Sequence, residues 1–139
     1  MNPLIRKLPS PGAPAAGESD FTVAPEWLVT NGLGGYASGT VAGAVTRRYH
    51  GLLTAALPAP LGRMLMLSGL VEEVQFSDGR AGTLTPHEGE PRDAKSAAVS
   101  LIEFRLDNGL PVWLYEIDEL VLEKIIHLPY RQNTVHVTY

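Results

Sequence analysis

The residues with the most chemical reach lie between Trp27 and Leu53. Trp27-Leu28-Val29-Thr30-Asn31-Gly32-Leu33-Gly34-Gly35-Tyr36-Ala37 runs on through Ser38-Gly39-Thr40-Val41 to Thr46-Arg47-Arg48-Tyr49-His50-Gly51-Leu52-Leu53. Conformationally permissive glycines alternate there with side chains that stack, donate and accept. Such a mixture suits a surface where the backbone must bend close to a ligand or partner. Trp27, Tyr36 and Tyr49 offer flat apolar faces against a sugar ring, with Asn31 and the arginines as hydrogen-bonding groups for hydroxyls. For Trp27 a place in the core is the better expectation; Tyr36, beside Gly34-Gly35, suits either role.

Other chemistries fit less well. Gly32-Leu33-Gly34-Gly35-Tyr36-Ala37 matches the spacing of a dinucleotide-binding turn. That turn needs a following helix and an acid about 20 residues on, whereas a β-rich segment follows here and Arg47-Arg48 occupies the acid's place. A tight turn explains the glycines better. If Arg47–His50 is part of a strand, Arg47 and Tyr49 share one face and Arg48 and His50 the other. One arginine would then be structural, with the other left for a ligand or partner. His50 alone is more often a hydrogen-bonded structural residue than a catalyst. No metal site is expected, since His50, His87, His127 and His136 are scattered and there is no cysteine. Glu72 and Glu73 are adjacent and point apart, Asp118-Glu119 reads as a turn, and no G-x-S-x-G nucleophile occurs. No catalytic residue and no cofactor are assigned.

The elements that must position these residues read as strands. The 139 residues are one domain's length, with 45% hydrophobic and 19% charged residues, as expected of a folded soluble domain. A net charge of −4 argues against nucleic acid as a partner, and no apolar run approaches a membrane span. Residues 1–20 are rich in Pro, Ala and Gly and read as a loose leader, with local packing open to Leu4, Ile5 and Leu8. Their prolines leave no signal-peptide core, so a cytoplasmic location is the expectation. Order is expected from Phe21. Strands are expected at Trp27–Thr30, Tyr36–Ala44, Arg48–Leu57, Met64–Leu70, Val71–Ser77, Arg80–Thr85, Val99–Leu106, Pro111–Ile117, Leu120–Leu128 and Thr134–Tyr139. The turns between them fall at Asn31-Gly32, Pro58-Ala59-Pro60, Asp78-Gly79, Asp107-Asn108-Gly109 and Asp118-Glu119, with a looser polar stretch at Pro86–Ser96. Successive strands without a helical window indicate an all-β, antiparallel β-sandwich over residues 21–139. The last strand stops while still alternating, which reads as a truncated domain with an exposed sheet edge open to self-association.

The two blocks Glu26–Val41 and Thr46–Leu53 closely resemble the N-terminal domain of bacterial and archaeal glycogen-debranching enzymes of the amylo-α-1,6-glucosidase type. Gly62-Arg63, Pro111-Val112-Trp113 and Lys124 with the strand after it are similar too, so the resemblance spans about Phe21 to Tyr139. Val45 departs from it, standing where a polar residue, usually Asn, is expected before Thr46-Arg47-Arg48. The resemblance implies a supersandwich-type domain beside a C-terminal helical barrel that carries the catalytic carboxylates. It implies hydrolysis of α-1,6-glucosidic branch linkages, with this part inactive alone. Its partners would be an α-glucan (glycogen or a maltooligosaccharide) and the barrel. On this basis Asn31, Gly34, Gly35, Tyr36, Arg47, Arg48, Tyr49 and His50 are the candidate substrate-binding or interdomain residues. The alternative is a structural domain that only packs against the barrel.

Overall fold

A computed structural model describes residues 4–7, 25–84 and 96–139. Phe21–Ala24 and most of the Pro86–Ser96 stretch therefore lie outside the described residues. Within the segment read as a leader, the backbone of Leu4–Lys7 forms β1. The other strands are β2 (Glu26–Thr30), β3 (Tyr36–Thr40), β4 (Gly51–Ala56), β5 (Arg63–Leu67), β6 (Glu73–Gln75), β7 (Ala81–Thr83), β8 (Val99–Asp107), β9 (Leu110–Ile117), β10 (Leu120–His127) and β11 (His136–Thr138). No helix occurs among the described residues. The fold is all-β and antiparallel, as expected.

Two main sheets carry the domain. One has the order β1-β8-β9-β10-β11, the other β2-β3-β4-β5, and β6-β7 forms a small separate hairpin. Alternation aims one set of side chains from each sheet at the other, and both tryptophans belong to that set. Trp27 of β2 meets Trp113 of β9 edge to face, with ring centroids 5.2 Å apart, and Phe104 of β8 packs on Trp113 from its own sheet. Such a pair contributes about 0.5–1.5 kcal/mol beyond the burial of its area. Ala37, Val41, Leu52, Leu84, Ala97, Tyr115, Ile117, Ile126 and Leu128 are the other buried members of the shared core. The indole N–H groups are both bonded: Trp27 Nε1 donates to Thr40 O at 3.1 Å and Trp113 Nε1 to Val41 O at 2.9 Å. The second of these ties the two sheets together directly.

Several strands are shorter than expected, for local reasons. β3 stops at Thr40 because the Thr40 hydroxyl donates to Ala44 O (2.9 Å) and Gly43 N–H to Thr40 O (3.0 Å), which turns the chain. β4 begins only at Gly51. Before it, His50 N–H donates to Arg47 O at 3.1 Å and Thr46 N–H to His50 Nδ1 at 3.3 Å, making Arg47–Tyr49 a turn. The face assignment that paired Arg47 with Tyr49 and Arg48 with His50 is thereby corrected, because a turn has no two-residue period.

Candidate functional site

The expected site residues fall into three layers. Deepest is Asn31, 1% exposed, at the end of β2. Its Oδ1 accepts from Leu33 N–H (2.9 Å) and Gly35 N–H (3.0 Å), while its Nδ2 donates to Gln132 O (2.8 Å) and Asn133 Oδ1 (3.2 Å). Every hydrogen-bonding position of the amide is used, with none left for a ligand. Asn133 extends the tie, accepting from Ala56 N–H and donating to Ala56 O. Asn31 is thus the staple that fixes the β2–β3 turn to the loop before β11.

The turn's shape follows from its glycines. Gly34 has φ +94°, a region that side chains disfavour. At Gly35 a Cβ would lie 2.6 Å from Asn31 Nδ2 and 3.0 Å from Thr54 O. Only glycine lets the backbone approach that closely.

Above the turn an open groove of about 500 Å³ runs over the outer face of the four-stranded sheet. Gly34, Gly35, Tyr36 and Tyr49 line it together with Glu26, Leu28, Thr30, Ser38 and Arg63. Tyr36 sits opposite Thr30 and Thr54 in the strand register, which aims it outward beside them. Tyr49 is half exposed, and its backbone carbonyl accepts from the Ser38 hydroxyl at 3.1 Å. Arg63 is anchored by Nε donating to Gly34 O at 2.8 Å. The volume falls within the roughly 300–1,000 Å³ of small-ligand clefts.

The remaining candidates do not line this groove. Arg47 pairs through Nε with Glu26 Oε1, an interaction that raises the guanidinium pKa, and its charge lies 6.0 Å from the Tyr49 ring. Arg48 is exposed and makes no ion pair or side-chain hydrogen bond among the described residues. His50 is 2% exposed. Its Nδ1 accepts from Thr46 N–H, so the neutral ring carries its proton on Nε2. That Nε2 lies 3.5 Å from Glu26 Oε1 without a formed hydrogen bond.

Glu26 and Arg63 stand in the matched motifs but were not singled out as site residues. No signal in the sequence alone brings Arg63 to Gly34 or Glu26 to Arg47. A second polar group was also missed. Lys124 Nζ is 2.7 Å from Glu72 Oε2, with both side chains nearly buried, and the Tyr139 hydroxyl donates to Glu72 Oε1. Lys124 also sits 5.5 Å from the Trp113 ring. Glu72 and Glu73 do point apart, as expected, with only Glu72 buried. Among the described residues no group of His, Asp or Glu could hold a metal ion, and no helix is long and apolar enough to cross a membrane.

Fold and site together define a two-sheet, all-β domain with an aromatic and polar groove built on a glycine-rich turn. Residues 25–139 match the family model described as glycogen debranching enzyme N terminal, and the chain belongs to that family. Comparison with curated proteins and with solved structures returned no match.

Proposed function

We propose that this domain binds α-glucan for a debranching hydrolase, holding a run of glucose units in the groove of Tyr36 and Tyr49. The catalytic acid and base belong to a helical barrel elsewhere in the enzyme, which cleaves the α-1,6 branch linkage. The observation that supports this most is the convergence of two tyrosines, a carboxylate and a guanidinium on one open groove. Sugars present apolar ring faces to aromatics and hydroxyls that both donate and accept. Between Glu26 and Thr30 the groove follows β2 for about 13 Å, which suits a short oligosaccharide better than a single ring. Electrophoresis through glycogen-containing gels tests the proposal. The chain is expected to be retarded, and Tyr36→Ala to migrate faster; a well-folded chain that ignores the polysaccharide refutes it.

A second reading, docking, is favoured by β5. Met64, Leu65 and Met66 are each 40% exposed or more, on an edge strand with Leu61 exposed beside it. Apolar side chains on both faces of an edge strand suit a covered position. In that reading the strand packs against the catalytic barrel, and in the barrel's absence the same edge supports self-association. Sedimentation at rising concentration distinguishes a chain that associates through β5 from one that stays monomeric.

A further inference from the structure

We propose that Glu26 is a sugar-binding residue of the groove and that Arg47 and His50 are the positioning residues that hold its carboxylate there. This rests on the groove being the glucan site. Arg47, Arg48 and His50 attract attention in the sequence as groups that would meet a ligand directly. The geometry redistributes those roles. His50 is too buried to be reached, and Arg47 lies outside the groove lining, turned to the Glu26 carboxylate that does line it.

Both residues address one atom. Arg47 Nε donates to Glu26 Oε1, and the N–H of His50 Nε2 stands 3.5 Å from the same oxygen. Glu26 Oε2 has no partner among the described residues, while Glu26 itself lines the groove. A carboxylate fixed through one oxygen presents the other as a strong acceptor of fixed direction. Hydroxyl donors of a neutral carbohydrate match it. Arg63 supplies the complementary donors: its Nε is held by Gly34 O, which leaves the terminal guanidinium nitrogens for hydroxyl oxygens. The acceptor thus comes from the start of β2 and the donor from the start of β5, held at the β2–β3 turn, with Tyr36 and Tyr49 offering ring faces in the same groove.

The turn at Arg47–Tyr49 is what makes this arrangement possible. Its hydrogen bonds from His50 N–H to Arg47 O and from Thr46 N–H to His50 Nδ1 set both donors on the Glu26 side. The second bond also fixes the tautomer that gives His50 a donor at Nε2. His50 Nε2 is a buried donor lacking a full partner, and a small movement of Glu26 towards it on ligand binding supplies one.

The test is calorimetric titration of the 139-residue chain and its variants with maltohexaose, with denaturation midpoints as a folding control. Glu26→Gln keeps the shape and loses the charge, and is expected to weaken binding about tenfold, the usual scale for a charge-assisted hydrogen bond. Arg47→Ala is expected to weaken it less, with recovery in Arg47→Lys, and His50→Gln, which retains an N–H donor, to bind better than His50→Ala. The carboxyl ¹³C resonance of Glu26 is expected to shift on maltohexaose addition in wild type and to shift less in Arg47→Ala. A positioning role moves that signature, whereas a merely structural one does not. If folded wild-type chain binds no maltohexaose, the groove assignment and this inference both fall. If wild type binds and Glu26→Gln binds within twofold of it, Glu26 is not a sugar ligand and only this inference is overturned. Arg47 is exposed, so the Arg47 variants remain informative if the His50 variants do not fold.

Discussion

Replacing Asn31 by alanine removes four side-chain hydrogen bonds, two accepted from Leu33 and Gly35 and two donated to Gln132 and Asn133. Intramolecular hydrogen bonds contribute about 0.5–1.5 kcal/mol each, and more when a buried partner is left unsatisfied. Asn133 is more exposed and can re-bond with water, so the four terms are not all felt in full. A loss of about 3 kcal/mol is expected for Asn31→Ala. Asn31→Asp is expected to be no milder. It keeps the acceptor for Leu33 and Gly35 but sets a carboxylate oxygen against Gln132 O, 2.8 Å from the present nitrogen. Urea denaturation followed by the fluorescence of Trp27 and Trp113 measures both. A double-mutant cycle with Asn133→Ala should show coupling, because the two amides share a bond. A loss under about 1 kcal/mol with additive effects would refute the view of Asn31 as a staple, and would return its amide to the list of ligand-binding groups.

Other parts of the structure make independent predictions. Lys124→Met leaves Glu72 buried without its cation and should cost about 3–5 kcal/mol in urea denaturation, with much of this recovered when Glu72→Gln is added. Gly35→Ala forces a methyl group against Asn31 Nδ2 and Thr54 O, and should cost about 1–3 kcal/mol by the same measure. The Tyr115 and Tyr139 hydroxyls are pushed above the ordinary value of 10.0, chiefly by burial and secondly by Glu72. Neutral phenol is thus favoured in the native state, so their contribution is intact below pH 10 and is lost as the pH rises beyond it. Stability should fall above pH 10 by at most about 1.4 kcal/mol per pH unit for each phenol, less for the more exposed Tyr139. Tyr115→Phe should flatten that slope.

The sandwich was legible because its signals are local. Val112, Tyr115 and Ile117 lie on one strand, β9, bounded by Asp107-Asn108-Gly109 and Asp118-Glu119, and the turns form where those residues put them, with Asn108 and Asp118 at φ 50° and 53°. Trp27 as a core residue followed from the same pattern. The site was legible only as a neighbourhood. Gly34, Gly35, Tyr36 and Tyr49 do line one groove, but the roles of Arg47 and His50 depend on a turn that alternation could not reveal. Two hydrogen bonds involving His50 override the extended conformation that the β-branched and aromatic neighbours suggest. Asn31 looked like a ligand-binding amide because its partners, Gln132 and Asn133, are about a hundred positions away. The pairing of Glu72 with Lys124 is equally long-range, across 52 positions, and no spacing rule reaches so far.

The central claim is that the groove over β2 and β3 takes α-glucan. Residue-resolved NMR of the folded chain during titration with maltohexaose tests it most directly. Saturable shifts are expected at Gly34, Gly35, Tyr36, Tyr49 and the Arg63 side chain, with β8 to β10 unmoved. An unchanged spectrum, or shifts confined to residues away from the groove such as Met64–Met66, would contradict it.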